Sequence, residues 1–174
     1  MSVNITGVLA SSLQWTAVET EANTTSTNNT ITDSGQIAYT FNLTSGTGDG
    51  QVNQLWHDIR VLDTGNTEEF DLQSLTQSVL NGTFTVSFDA VKGLEIKNES
   101  DSTIGVSMTG SNPFGEPLAF PTGIIPIPPS GSFKIPDNVK SGWTVDSSNA
   151  IFQVHDVDSS GAQYQIAVIG VSGV

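Results

Sequence analysis

The sequence predicts an all-β protein, an antiparallel β-sandwich, and three observations predict it. Apolar and polar residues alternate in short runs, which puts every second side chain on one face, as a half-buried strand requires. Turn-forming residues interrupt these runs about every 8–12 residues, the rhythm of sandwiches and barrels. Long stretches of Ala, Leu, Glu and Lys, which would favour helices, do not occur, and Gly, Ser, Thr and Asn are abundant instead.

The elements follow in chain order. Residues Met1 to Val18 interleave Val3, Ile5, Val8, Leu9, Leu13, Trp15 and Val18 with polar positions and fit either an extended arm or a first strand. Glu19 to Asn29 has no core candidates and reads as a loop or a solvated edge strand. The expected division is therefore an N-terminal arm and polar loop over 1–35 and a sandwich over 36–174. Ile37, Tyr39, Phe41 and Leu43 alternate on one face of a strand that the Gly-rich run Ser45 to Gly50 ends. Val52 to Leu62 is the next strand, closed by Asp63-Thr64-Gly65-Asn66. Asn66 to Leu75 fits a short strand or a helical turn. Asn81-Gly82, a strong turn signal, precedes the strand with Phe84, Val86 and Phe88 directed inward.

Val91 to Met108 reads as a β-hairpin whose halves carry Leu94 and Ile96, then Ile104, Val106 and Met108, around the turn-forming stretch Asn98 to Thr103. Prolines crowd Ser111 to Pro129, so that segment is an excursion or a sheet edge; Ile124 to Ile127 can pair along one side only. Ser132 to Ile135, Trp143 to Val145, Ala150 to Val154 and Tyr164 to Ile169 complete the strands, with Asp156 to Gly161 as a hairpin loop between the last two. The predicted core joins Phe84, Val86, Phe88, Leu94, Ile96, Val106, Phe152, Val154, Ile166 and Val168.

Composition narrows the function. The 174 residues suffice for one domain with its own core. Eighteen acids against five Lys and Arg give a net charge of −13, a surface that repels phosphate, so neither a nucleic-acid nor an anionic-membrane partner is expected. With no cysteine there is no disulfide framework and no thiolate chemistry, and stability must come from packing within and between subunits. No basic and apolar leader is read at the start, and no apolar run of about 18 residues occurs.

Several groups resemble sites and each has a plainer reading. Asp156-x-Asp158-x-Ser160-Gly161 opens like a calcium loop, but the twelfth position is Ala167 where that loop needs Glu, so an Asp/Ser/Gly turn is the better reading. A histidine base would have to be His57, beside Asp58, or His155. No G-x-S-x-G elbow accompanies either, and they read as strand-end polar residues. Pro126-Ile127-Pro128-Pro129 has the look of a polyproline ligand and reads as a rigid crossing strand. The glycosylation-type triplets at Asn4, Asn42 and Asn81 are expected by chance in an Asn- and Thr-rich chain. No catalytic, cofactor-binding or metal-binding residue is assigned, and no cofactor is expected.

A resemblance adds to this. Its residues are Leu55-Trp56-His57-Asp58-Ile59-Arg60-Val61-Leu62, Phe70-Asp71-Leu72, Val91 to Asn98, Ile104-Gly105-Val106, Pro128 to Phe133, Gly142 to Val145 and Tyr164 to Gly170. Taken in order, they resemble small β-sandwich virion proteins of tailed bacteriophages, of the capsid-associated, decoration or cement kind. The resemblance spans about residues 36–170 and rests on packing and turn motifs. It implies a jelly-roll-like fold, a non-enzymatic structural protein of the virion, and a homo-oligomer assembled against the major capsid protein or other virion proteins. It transfers no site residues. Two other classes compete. A carbohydrate-binding module or adhesin would expose an aromatic platform from Trp15, Trp56 or Trp143. A glycan-active hydrolase would bring carboxylates together in a cleft.

Overall fold

The structure is a computed structural model and describes residue 5 and residues 7–21, 29–79, 82–115, 123–136 and 141–173. Two compact units divide the described chain: Gly7–Asn42, and the remainder from Leu43 onward. The smaller unit holds β1 (Gly7–Glu21) and most of β2 (Asn29–Ser45), two long neighbouring strands of one sheet. The described side chains along them, Val8, Ala10, Gln14, Thr16, Ser34, Gln36, Ala38, Thr40 and Asn42, are all exposed. Even positions thus face water, as the alternation in the sequence requires. The strand expected from Ile37 begins earlier, at Asn29, since Thr and Ile of the polar run are also good strand formers. At its end, Thr44 and Ser45 run parallel to Gln51 and Val52 of β3 (Gln51–Val52), and Leu43 is buried.

The larger unit is an antiparallel β-sandwich, and no helix occurs among the described residues. Its strands are β4 (Gln54–Leu62), β5 (Thr67–Asp71), β6 (Leu75–Val79), β7 (Gly82–Val86), β8 (Ala90–Asn98), β9 (Ile104–Ser107), β10 (Ile125–Ile127), β11 (Ser132–Pro136), β12 (Trp143–Thr144), β13 (Ile151–Asp156) and β14 (Ala162–Val171). One sheet has the order β11-β8-β14-β4, with β12 also on β8; the other has the order β10-β9-β13-β5. Residues 66–75 give strand β5, and β6 with β7 forms a separate two-stranded hairpin in the β5–β8 connection. Val79 pairs with Gly82, and the expected Asn81-Gly82 turn lies partly outside the described residues.

The two sheet orders correspond strand for strand. β4 leads into β5, β8 into β9, β10 into β11 and β13 into β14, and each step crosses from one sheet to the other. This corrects two expectations. Val91 to Met108 is not a hairpin, because β8 and β9 belong to different sheets; nor do β13 and β14 pair with each other. Alternation alone cannot distinguish a hairpin from an arch, since both keep one face buried. Asn98 decides the first case. Its buried side chain donates from Nδ2 to the carbonyls of Ser102 (2.7 Å), Ile127 (3.1 Å) and Pro128 (3.1 Å), and its Oδ1 accepts from the Ser100 amide (3.0 Å) and hydroxyl (2.6 Å). These bonds satisfy the backbone of a corner that no ladder could serve.

The inner faces share one core containing Trp56, Phe70, Phe88, Leu94, Ile96, Ile104, Val106, Phe114, Phe152, Val154, Tyr164, Ile166 and Val168 among others. Phe70 stacks on Phe152 at 4.9 Å between centroids, and Trp56 meets Phe70 edge-on at 5.6 Å. Nine of the ten predicted core residues are buried; Phe84 is 48% exposed. The reason is local. β7 pairs only with β6, so its alternation continues on a hairpin with no second sheet over that position. At Gly170, where the β14–β8 register shifts, a Cβ would collide with the carbonyl oxygen of Ala90, so glycine is required for the approach.

This core predicts a contrast. Phe88→Ala should lower the unfolding free energy by about 3–5 kcal/mol, and Phe84→Ala by about 1 kcal/mol or less. Urea titrations of both variants check it; equal losses would put the two rings in one environment.

Candidate functional site

The corner end of the sandwich carries the densest polar network. The register places Leu62 opposite Ala162, Asn98 opposite Tyr164 and Lys97 opposite Ser132, so the four short sheet-to-sheet crossings at 63–66, 99–103, 128–131 and 157–161 lie at one end. Asp156 is the hub of two crossings. Its Oδ2 accepts the amides of Gly65 and Gly161, both at 2.8 Å, and its own amide donates to the Asn66 carbonyl. Asp158 Oδ2 accepts the Thr103 amide at 2.6 Å, and the Ser102 hydroxyl donates to the Gly161 carbonyl at 2.8 Å. In the residues that open like a calcium loop, Asp156 and Asp158 therefore each point Oδ2 at backbone amides, while the second oxygen of Asp156, Oδ1, is buried without a hydrogen-bond partner among the described residues. Donors around an anion are the reverse of a cation cage. Among the described residues, no three His, Asp or Glu side chains gather as metal ligands would.

The two histidines are held differently. His57 lies on the outer face of β4, exposed, while Asp58 next to it turns to the opposite face and pairs with Arg60 at 3.0 Å. Strand alternation thus separates the His57-Asp58 pair. His155 joins three strands of the other sheet: Nε2 meets Ser107 Oγ at 2.6 Å and Nδ1 meets Thr67 Oγ1 at 2.9 Å. The chain continues from Ser107 through Thr109 and Gln153 to Glu69. A serine hydroxyl on a histidine nitrogen is the first contact of a nucleophilic pair. Here, however, Ser107 is buried in a strand, and the second ring nitrogen meets a hydroxyl where an orienting carboxylate would serve catalysis. The arrangement is a cross-strand polar ladder. Sequence reading named His155 but not its partners, because Thr67 and Ser107 reach it only through strand pairing.

A third group closes the side of the sandwich where β4 and β5 are the edge strands. Arg60 pairs with Glu68 through both Nε and Nη2, and the buried Tyr164 hydroxyl donates to Glu68 Oε2 at 2.5 Å. Arg60 also lies 5.8 Å from the centre of the Phe70 ring. The two sheets are thereby joined by an ion pair between edge strands β4 and β5.

The remaining candidates are structural. Trp56 is buried, with its indole nitrogen donating to the Thr76 carbonyl at 2.9 Å, and Trp143 is half-buried against the core, so neither offers an open platform. The Trp15 side chain lies outside the described residues. In the proline-rich segment, Ile127 is a core residue and Pro126 sits opposite Gly105 on edge strand β10, where a missing amide costs no ladder bond. Asn42 and Thr44 flank the buried Leu43; the other two triplets fall partly outside the described residues. Comparison with family models, with curated proteins and with solved structures gives no match to this chain.

The network fixes a pH dependence. Amides of Gly65 and Gly161 hold the Asp156 carboxyl below its ordinary value, so its stabilisation is present above about pH 4 and is lost as pH falls through the lowered value. Burial lowers the His155 value from 6.5, so its contribution is complete above that pH and declines below it. Burial, reinforced by Glu68, raises the Tyr164 value, so its contribution is complete below pH 10 and is lost above. Stability in urea should therefore be greatest from about pH 6.5 to about pH 10. Tyr164→Phe should flatten the alkaline decline and His155→Asn the first part of the acid decline; unchanged slopes would contradict the assignment.

Proposed function

We propose that this chain is a non-enzymatic structural subunit of a tailed-phage virion, located on the particle, where it decorates or cements the capsid shell as a homo-oligomer. The observation that carries the reading is the ribbon of β1 and β2. Two strands of 15 and 17 residues are neighbours, residues 7–42 form a unit of their own, and every side chain described within that unit is exposed. A two-stranded ribbon is marginal in water without a further surface to cover it. A strand pair about 50 Å long is suited to contacts beyond its own subunit, which is what a shell-binding protein needs.

The strand order supports the same reading. We read a four-stranded and a five-stranded antiparallel sheet, whose main four-strand paths correspond in order and are joined by four crossings at one end, as a jelly roll, an architecture used by capsid and lectin domains. The charge of −13 suits an outer surface, away from packaged nucleic acid. The contacts of His155, Asp156 and Arg60 are accounted for by strand pairing, corner closure and edge closure. The major capsid protein, or another virion protein, is the partner this reading names.

The test is co-sedimentation of purified protein with heads of the tailed phage whose genome carries the gene. Full-length protein should sediment at a fixed number of copies per head, and protein lacking residues 1–42 should fold but stay in the supernatant. Full-length protein that ignores heads and binds a glycan array would refute the shell reading in favour of an adhesin.

A further inference from the structure

The outer face of the β11-β8-β14-β4 sheet has two properties that belong together. Its β4 edge is apolar and open to water: Leu55 is 43% exposed, Ile59 61% and Val61 71%. These residues share one side of the strand and continue onto β14, where Ile169 lies opposite Leu55 and Ala167 opposite His57. Ile59 and Gln165, with His57, Glu95 and Lys97, line a shallow depression in the middle of the face. An outward apolar stripe on an edge strand departs from the polar outer row expected of a solvated sheet.

The second property is charge. The chain has 18 acids and five bases, yet two of those bases, Lys97 and Lys134, lie on this face. Lys134 pairs with Glu95 at 3.2 Å and Lys97 with Glu99 at 2.6 Å. Acids and bases there cancel, and Gln163 and Gln165 are uncharged. Two copies each carrying −13 repel one another over most approaches. A locally neutral, partly apolar face is where that repulsion is least and where burial returns the most.

The edge itself is closed to strand addition. The His57 amide donates to Gln77 Oε1 at 3.3 Å and the Ile59 amide to Asp58 Oδ1 at 2.8 Å. Inward-pointing Asp58 and Arg60 are a further barrier to edge pairing. What remains available is the face. Nine residues of β4 and four strands give it about 30 Å by about 19 Å, or about 570 Å², near the roughly 600 Å² per partner at the low end of standard interfaces.

We infer that this face is a self-association surface: a second copy of the chain packs its own β4–β14 face against it, stripe to stripe, about a two-fold axis. The inference goes beyond the virion reading and does not depend on it, since like copies can pair in this way on or off a particle.

The experiment is sedimentation equilibrium of the full-length protein over a wide concentration range, at low and high salt. Wild type should self-associate, more strongly at high salt because the residual like-charge repulsion is screened. Ile59→Glu with Val61→Glu places four carboxylates in a two-fold contact and should weaken association about a hundredfold, with circular dichroism and urea stability unchanged. Val157→Glu, an exposed apolar residue elsewhere, should associate as wild type does. A wild type that stays monomeric throughout, or a double variant that associates as strongly as Val157→Glu, would overturn the inference. Self-association that is lost in the double variant while wild type ignores phage heads would uphold it and remove the virion reading alone.

Discussion

Each sheet of this sandwich is the cover of the other, and the rest of the structure follows from that dependence. There is no cysteine to staple the layers, so the facing rows led by Phe88, Leu94, Ile96, Val106, Phe152, Ile166 and Val168 must exclude water unaided. Since β4 and β5, β8 and β9, β10 and β11, and β13 and β14 lie in different sheets, the chain has to cross the sandwich repeatedly, and each crossing exposes backbone groups that no neighbouring strand can bond. Asn98 and Asp156 answer that need at adjacent corners. Each spends its side chain on the backbone of its own crossing and of another. Removing either would leave several corner groups without partners, so both act on the packing of whole sheets.

The open sides of the sandwich meet a different problem. Edge strands expose unpaired amides and carbonyls, which invite other chains. On one side, β10 carries Pro126, whose ring supplies no amide. On the other, β4 and β5 point Asp58, Arg60 and Glu68 inward and tie them to Tyr164. The inward charges are tolerable because they are partly solvated and paired. Edge closure and an exposed apolar stripe on the same strand are compatible: one blocks uncontrolled sheet extension, and the other leaves a face of defined size.

Much of this was legible in the residues. Alternation located the strands and nine of ten core positions, because burial on one face is a local property with a period of two. Pairing partners were not legible. The corner between β8 and β9 and the one between β13 and β14 have the composition of hairpin turns, and only the distant partners of Asn98 and Asp156 mark them as crossings. Phe84 shows the same limit, since its run has the right period on a hairpin that the second sheet does not cover. The contacts of His155 with Thr67 and Ser107 depend on register across three strands, and the ion pair of Arg60 with Glu68 depends on two edges meeting. A calcium-like spacing at Asp156 is present in the sequence, but the orientation of its oxygens toward amides is a property of the fold.

The function proposed divides the labour between a sandwich that folds on its own core and a ribbon, exposed along one face, that would be completed by another chain. That claim is tested most directly by amide hydrogen exchange on full-length protein, free and bound to phage heads. The account predicts that amides of β1 and β2 exchange much more slowly on the particle, while those of β8, β13 and β14 are equally slow in both states. Ribbon amides that exchange at the same rate free and bound would contradict it.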